Sequence, residues 1–387
     1  MIIEPKVKGF ICTTAHPVGC MENVKSQIQY IKTKGKINGS KKALIIGAST
    51  GYGLASRIAL SFGCRAATIG VMFEKEASGK RSATSGYYNT KAFEKMAYAE
   101  GLYAKSINGD AFSREIKEQV IHTIKEELGQ VDMVIYSLAA PRRTLEDGTT
   151  YTSVLKTIGE PFVNKSWNLK DNTIGEAIIP PASIKEVEAT VKVMGGEDWK
   201  DWIAALNEAQ VLAKHAITIA YSYIGPMLTY PIYYHGSIGM AKAHLKASAE
   251  EIKRLYANQD IRAYISINKA VVTQASSAIP IVPLYFIVLY KVMKEKGVHE
   301  GCIEQMQRMF AEKIFGKKGI RTDDEGMIRM DDLEMQNDVQ EEVMDVWNAI
   351  STENVLQVAD VKGYWEDFYR MFGFGIDGVD YSMDVPT

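Results

Sequence analysis

Cysteine, histidine and net charge are all scarce in this chain of 387 residues. The four cysteines, Cys12, Cys20, Cys64 and Cys302, form no C-x-x-C, and no cluster with the six histidines has zinc spacing. Neither a disulfide framework nor a metal site is expected, and reduced thiols in the cytoplasm are. A formal net charge of −2 offers no field to draw in nucleic acid or an anionic membrane, although it allows a local basic pocket. Long apolar runs are missing too. The longest, Ala278 to Tyr290, has 13 residues and two prolines; it is too short to span a bilayer and reads as a buried or ligand-facing helix. The opening MIIEPKVKGF places Glu4, Pro5, Lys6 and Lys8 where an export signal needs an apolar core, so export is not expected.

What is present is ordinary globular material, 46% hydrophobic and 24% charged, enough for a sizeable core. From residue 43 apolar strands alternate with helices. ALIIG (43–47), AATIGVMF (66–73), LYAKSIN (102–108), VDMVIYSL (131–138), AITIAYSYIG (216–225) and IRAYISINKAV (261–271) read as strands. GYGLASRIALSFG (51–63), a segment near 88–100, SREIKEQVIHTIKEELG (113–129) and a run from Tyr233 to about 257 read as helices. The alternation predicts an α/β fold, a Rossmann-like doubly wound parallel sheet covered on both faces. The turn-rich interval from about 145 to 215 reads as an insertion with a hairpin and a helix over 198–214. Residues 1–40 form an amino-terminal extension and about 274–387 a helical one, so 1–387 is expected to be a single elaborated domain.

Doubly wound sheets bind ligands at the carboxyl ends of their strands, and chemically apt residues collect there. GASTGYG follows the first strand, with Gly47, Gly51 and Gly53. Glycine lets backbone approach a pyrophosphate, and the helix that follows presents free N–H groups to it. Glu74, in MFEKE after the second strand, can accept both hydroxyls of an adenosine ribose and repel a 2′-phosphate, which favours NADH over NADPH; Glu76 competes for that role. Asp110, after the third strand, can take an adenine amino group or cap the helix starting near 112. SLAAP after the fourth strand is small and apolar, as backbone under a nicotinamide ribose should be. AVVTQ after the sixth offers backbone groups and the Thr273 hydroxyl to a carboxamide.

The fifth strand is followed by YYHGSIGMAK, in which Tyr233 stands nine positions before Lys242. Composition alone supplies about two such pairs by chance, and Tyr285–Lys294 repeats the interval without a preceding sheet strand. On a straight helix an offset of nine puts two residues on opposite faces. The pair can converge only if Tyr233 precedes the helix proper, which Pro231 and HGSIG allow.

Together these residues resemble the short-chain dehydrogenase superfamily. PKVKGFICTTAHPVGC, GASTGYG, YPIYYHGSIGMAKAHL and NKAVVTQASSAIP are similar to the V-type (FabV) enoyl reductases, which include the trans-2-enoyl-CoA reductases; the likeness spans essentially the whole chain. The resemblance implies an NADH-dependent reduction of trans-2-enoyl thioesters of CoA or acyl-carrier protein. It makes Tyr233 the proton donor and Lys242 the residue holding the nicotinamide ribose. Gly47, Ala48, Ser49, Thr50, Gly51, Tyr52, Phe73, Glu74, Asp110, Ala111, Leu138, Ala139, Val271, Val272 and Thr273 would line NADH, and Tyr223 would contact substrate. The family also implies a monomer without flavin or metal.

Two other functions compete. A carbonyl reductase of the short-chain type normally carries Tyr and Lys four positions apart; here that interval occurs at Tyr87–Lys91 and Tyr290–Lys294, neither after the fifth strand. A non-catalytic NADH sensor would bind the dinucleotide but has no need of a proton donor. His235 and His244 flank the pair and are expected on a helix surface, because no carboxylate orienter is visible. The tryptophans of EDWKDW (197–202) are expected to pack. SSAIPIVPLYFIVLY is expected either to wall an acyl chain or to fill core.

Overall fold

The computed structural model describes residues 1–8, 11–79, 81–273, 276 and 279–385. Gly9 and Phe10 of the amino-terminal string, and Gln274, Ala275, Ser277 and Ala278 of NKAVVTQASSAIP and of the apolar stretch, lie outside the described residues.

Seven parallel strands form the central sheet: β1 (Lys42–Ile46), β2 (Ala67–Met72), β3 (Ala104–Asn108), β4 (Val131–Tyr136), β5 (Leu212–Ser222), β6 (Arg262–Ile267) and β7 (Ile328–Arg329). Their spatial order is β7-β6-β5-β4-β1-β2-β3. Winding therefore reverses between β1 and β4, where Ile46 lies opposite both Val71 and Tyr136. Ala43 to Ile46 are wholly buried, as a strand covered on both faces requires. One face carries α1 (Pro17–Lys34), α2 (Gly51–Ile58) and α3 (Ser85–Ala99), packing Val24, Leu54 and Phe93 on the sheet. The other carries α4 (Arg114–Thr123), α6 (Glu197–Glu208) and α7 (Ser237–Leu255) through Val120, Trp199, Trp202 and Leu245. Helix α5 (Ile184–Met194), closed at its start by a Ser183–Glu186 capping box, packs on α7.

A third core ties the extensions together. It joins Trp167 and Ile179 of the insertion to α8 (Val282–Glu295), and both to α10 (Asn337–Ala349) and α11 (Val361–Arg370). Helix α9 (Cys302–Arg308) returns to the α1–α2 face.

Several boundaries differ from the sequence reading. The helix expected over 198–214 stops at Glu208, because β5 begins at Leu212. That early start was hidden by a bulge: His215 has φ 65°, and the register slips between Leu212 and Ile217. A bulge breaks the period-2 alternation that betrays a strand. The insertion consequently runs over 137–211 and holds two hairpins, Arg142–Thr144 with Thr150–Thr152 and Phe162–Trp167 with Ile174–Ile179. The carboxyl-terminal part is not purely helical, since β7 joins the sheet edge. Helices α2 and α4 each widen into a π-helical turn, over Ala59–Gly63 and Ile124–Leu128.

The tryptophans of EDWKDW pack as expected. Trp199 and Trp202 are fully buried, donating Nε1 to Thr218 Oγ1 at 2.8 Å and to Ala111 O at 3.1 Å. Replacing Trp199 by Ala should lower stability by about 3–5 kcal/mol, read from equilibrium urea unfolding. A loss under about 1 kcal/mol would show that α6 contributes little to this face.

Candidate active site

Each candidate ligand group stands at the carboxyl edge of the sheet. Gly47 has φ 84°, and a Cβ there would come within 2.3 Å of Ser137 O. At Gly53 a Cβ would meet Gly47 O at 1.8 Å, so α2 packs onto the loop with no side chain between. Thr50 precedes α2 in extended geometry and its side chain does not cap it. The first N–H groups of α2 thus face the cleft from exposed Thr50 and Gly51, an arrangement suited to a pyrophosphate. Ala48 and Ser49 are buried beneath, while Tyr52 reaches across to Lys269 O at 2.6 Å and Gln305 Oε1 at 3.0 Å. Leu138 packs near Gly47, and Ala139 is exposed beside it.

After β2, Glu74 is held on every side. Ser49 Oγ donates to its Oε1 at 2.6 Å, and Asn108 pairs with its backbone at 2.8 and 2.9 Å. A Cβ at Gly86 would come within 2.0 Å of the same carboxylate. Glu76 is exposed, so geometry favours Glu74 over its competitor. Phe73 is 77% exposed, an open ring face beside that carboxylate. Asp110 does not cap α4. Ser113 does, through Ile116 N, while Asp110 Oδ1 accepts Phe112 N at 3.0 Å. Ala111 is buried and pinned by Trp202.

Tyr233 lies in a separate single turn, Tyr230–Tyr233, and α7 begins only at Ser237. Its ring meets the Tyr223 ring edge to face at 4.8 Å. Lys242 Nζ donates to Tyr221 O at 3.3 Å. The two side chains therefore reach residues two positions apart, Tyr221 near the end of β5 and Tyr223 just past it. Burial raises the Tyr233 phenol above its usual range, and the Glu334 charge raises it further. Burial alone pushes Lys242 down to about 8. By contrast, Lys91 lies over the Tyr87 ring at 5.4 Å on α3, and Lys294 over Tyr290 at 5.5 Å while paired with Asp360 at 2.6 Å. His244 Nδ1 accepts Gly196 N at 3.0 Å, and His235 is exposed.

Val271 and Val272 are buried at the end of β6, with Thr273 half-buried next to them. Val272 N donates to Tyr290 Oη and Thr273 N to Ser276 Oγ, both at 2.9 Å. These bonds fix the segment opposite the glycine loop. A cavity of about 680 Å³ opens between Thr50–Gly51 and Val271–Thr273. Its outer wall comes from Tyr30 of α1, Cys302 of α9 and Asp367 of α11.

Known proteins resemble the chain along its whole length. Residues 81–315 match the family described as trans-2-enoyl-CoA reductase catalytic region, and residues 2–79 the NAD(P)H binding domain of trans-2-enoyl-CoA reductase. The chain belongs to the trans-2-enoyl-CoA reductase family. It is 55% identical over 386 residues to a trans-2-enoyl-CoA reductase [NADH] of Clostridium perfringens, covering 100% of this chain and 99% of that one. It is 54% identical to an enoyl-[acyl-carrier-protein] reductase [NADH] of Flavobacterium psychrophilum, covering 100% and 98%. The crystal structure of Clostridium acetobutulicum trans-2-enoyl-CoA reductase in complex with NADH superposes with a TM-score of 0.97, at 46% identity over 100% of this chain and 98% of that one.

Residues 322–385 of this enoyl reductase match a family described as enoyl reductase FAD binding domain. The side chains there do not fit a flavin dinucleotide. Helix α11 is capped by the Asp360 carboxylate, which accepts Gly363 N at 2.9 Å. Helix α10 carries Asp338 in its first turn and follows Asp331, Asp332 and Glu334. A pyrophosphate at α11 would compete with the Asp360 carboxylate for Gly363 N–H, and the Arg329, Arg308 and Lys313 cations before α10 are already paired with Asp331 and Asp332. The glycine loop is the opposite case: its N–H groups and missing Cβ atoms fit a dinucleotide.

Sequence reasoning missed Asn108, Tyr285 and Glu334. Glu334 sits in MDDLEMQND, which looks like a solvated acidic run, yet it is fully buried and accepts Tyr223 Oη at 3.1 Å and Tyr285 Oη at 2.7 Å. Tyr285, set aside as half of a chance pair, therefore belongs to the site's supporting network.

Gly53→Ala would force α2 away from the loop. NADH affinity should fall at least about tenfold, roughly 1.4 kcal/mol, by fluorescence titration, with the circular dichroism unchanged. Unaltered affinity would move the pyrophosphate elsewhere.

Proposed function

We propose that the chain reduces the carbon–carbon double bond of trans-2-enoyl thioesters, of CoA or of acyl-carrier protein, with NADH as hydride donor. The observation that carries this reading is that Tyr233 lies on the Tyr223 ring and Lys242 on Tyr221 O, two positions apart at the end of β5. Bound NADH supplies the hydride that adds to the substrate β-carbon.

Each residue then has a physical task. The N–H groups at Gly51 and the bare Gly47 and Gly53 hold the pyrophosphate. The Glu74 carboxylate takes the adenosine ribose hydroxyls and opposes a 2′-phosphate, and exposed Phe73 covers the adenine. The second oxygen of Asp110 accepts the adenine amino group. Lys242 holds the nicotinamide ribose, whose hydroxyls restore the hydration its ammonium lost on burial. When negative charge develops on the thioester oxygen, a neutral hydroxyl aimed at it lowers the barrier. Tyr233 supplies that hydroxyl and then the proton; the enol so formed tautomerises to the saturated thioester with the hydrogen on its α-carbon, and solvent returns a proton to the phenolate. Because burial makes Tyr233 a weaker acid, its proton stays in place until the substrate oxygen becomes basic enough to take it. Tyr223 borders the same oxygen.

A monomeric state belongs to this reading and rests on the family resemblance alone. The four free cysteines, three of them buried, suit a cytoplasmic setting. A role in fatty-acid synthesis rests on the relatives that carry acyl-carrier-protein names.

The test follows NADH oxidation with crotonyl-CoA against acetoacetyl-CoA. Crotonyl-CoA should be the substrate, and NADPH should serve poorly. Tyr233→Phe should lower turnover by about 10²–10⁴, the usual range for a general acid. A loss below about tenfold, or a preference for acetoacetyl-CoA, would remove this assignment.

A further inference from the structure

We propose that Glu334 is a positioning residue whose protonation decides which way the Tyr223 hydroxyl donates. This rests on the reading of Tyr223 as bordering the thioester oxygen. Glu334 is wholly buried, and its two oxygens are used differently. Oε2 accepts Ala270 N at 2.7 Å, at the root of the Val271–Thr273 segment. Oε1 faces two phenols, Tyr285 at 2.7 Å and Tyr223 at 3.1 Å.

The two phenols are not equivalent. Gln340 Nε2 donates to Tyr285 Oη at 3.3 Å and to Glu334 O at 2.7 Å. An incoming N–H on Tyr285 Oη leaves that phenol's own proton directed at Glu334. Among the described residues no N–H enters Tyr223 Oη. Its ring stands edge to face with Tyr233, and its hydroxyl carries one proton and two lone pairs. While Glu334 is a carboxylate, that proton points at it, and only lone pairs face the substrate. Two acceptors would then oppose each other as charge builds on the thioester oxygen. When Glu334 holds a proton, the carboxyl donates to Tyr223, which turns its own proton outward. Tyr223 then joins Tyr233 as a donor to that oxygen.

The groups facing Glu334 bear on both states. Burial favours the protonated form above all, and the Asp331 charge adds to it; Lys269, Ala270 N and Tyr285 favour the carboxylate. Lys269 Nζ does not pair with Glu334: it donates to Ala270 O at 2.7 Å and lies over the Tyr290 ring. Asp331 is paired with Arg329 at 2.7 Å. The Tyr233 and Tyr223 phenols are both held up by the Glu334 charge, so protonating Glu334 also makes Tyr233 a readier acid. The result is one direction of change. The competent form lies below the raised folded-state value of Glu334 and is lost as pH rises through it.

The experiment measures kcat/KM for crotonyl-CoA with saturating NADH across the pH range in which the protein stays folded. It compares wild type, Glu334→Gln and Tyr223→Phe. In Glu334→Gln the amide oxygen stays on Ala270 N–H, so the NH2 group faces the phenols: one N–H donates to Tyr223 as the protonated acid does, and the other goes to the second lone pair of Tyr285, whose own proton turns away. Wild type should lose about tenfold with rising pH, the worth of one hydrogen bond. Glu334→Gln should hold the low-pH plateau within about threefold throughout, and Tyr223→Phe should show a lower profile whose falling limb is shallower than wild type's, the remainder being the Glu334 charge acting on Tyr233. A flat wild-type profile, or a falling limb that survives in Glu334→Gln, overturns the proposal. Should Glu334→Gln fail to fold, a limb of undiminished size in Tyr223→Phe overturns it equally, and a shallower one supports it. Absence of any wild-type turnover with crotonyl-CoA would instead count against the proposed function itself.

Discussion

The site depends on the chain leaving helical geometry between Tyr233 and Ser237. Nine residues along one continuous helix would send the phenol and the ammonium to opposite sides. The backbone instead closes a single turn at Tyr230–Tyr233, steps through Tyr234–Gly236, and starts α7 afresh at Ser237. Two glycines make the step sterically possible. A Cβ at Gly236 would come within 2.1 Å of Ile232 O, and one at Gly239 within 2.0 Å of Tyr234 O. The interval that looks unfavourable for a helix is thus what a broken helix needs. It lets Tyr233 lie on Tyr223 while Lys242 reaches Tyr221.

Around that step the protein draws groups that prefer water partly out of it. Burial pushes Lys242 down and Tyr233 up, so both incline toward neutrality in the free enzyme. A dinucleotide ribose and a developing enolate supply what the two lack, and charge is best stabilised when cofactor and substrate are both in place. The supporting shell comes from far along the chain. Tyr290 fixes Val272, Tyr52 ties the glycine loop to Lys269, and Glu334 joins Tyr223 to Ala270. The carboxyl-terminal helices therefore set the geometry of a site whose reacting residues lie on the sheet.

Most of the fold was legible because parallel strands, buried on both faces, write themselves as apolar runs such as ALIIG. The strand ends were legible for a related reason: Gly47, Glu74 and Asp110 follow such runs closely, and Tyr233 comes one turn after the next. What escaped has equally physical causes. β7 has two residues, too few for any periodicity. The His215 bulge broke the alternation that would have started β5 on time. Ser113, not Asp110, capped α4, a distinction of three residues that propensity does not make. Glu334 escaped because nothing local distinguishes a buried acid from an exposed one in MDDLEMQND. Its partner Tyr223 is 111 positions away, so only the folded chain brings them together.

The most direct test of the convergence is a crystal structure with NAD and crotonyl-CoA bound together, a pair that cannot react. Tyr233 Oη should lie about 3 Å from the thioester oxygen, with Lys242 Nζ at hydrogen-bonding distance from the nicotinamide ribose. A nicotinamide seated away from the end of β5, or either side chain turned from it, would contradict the account.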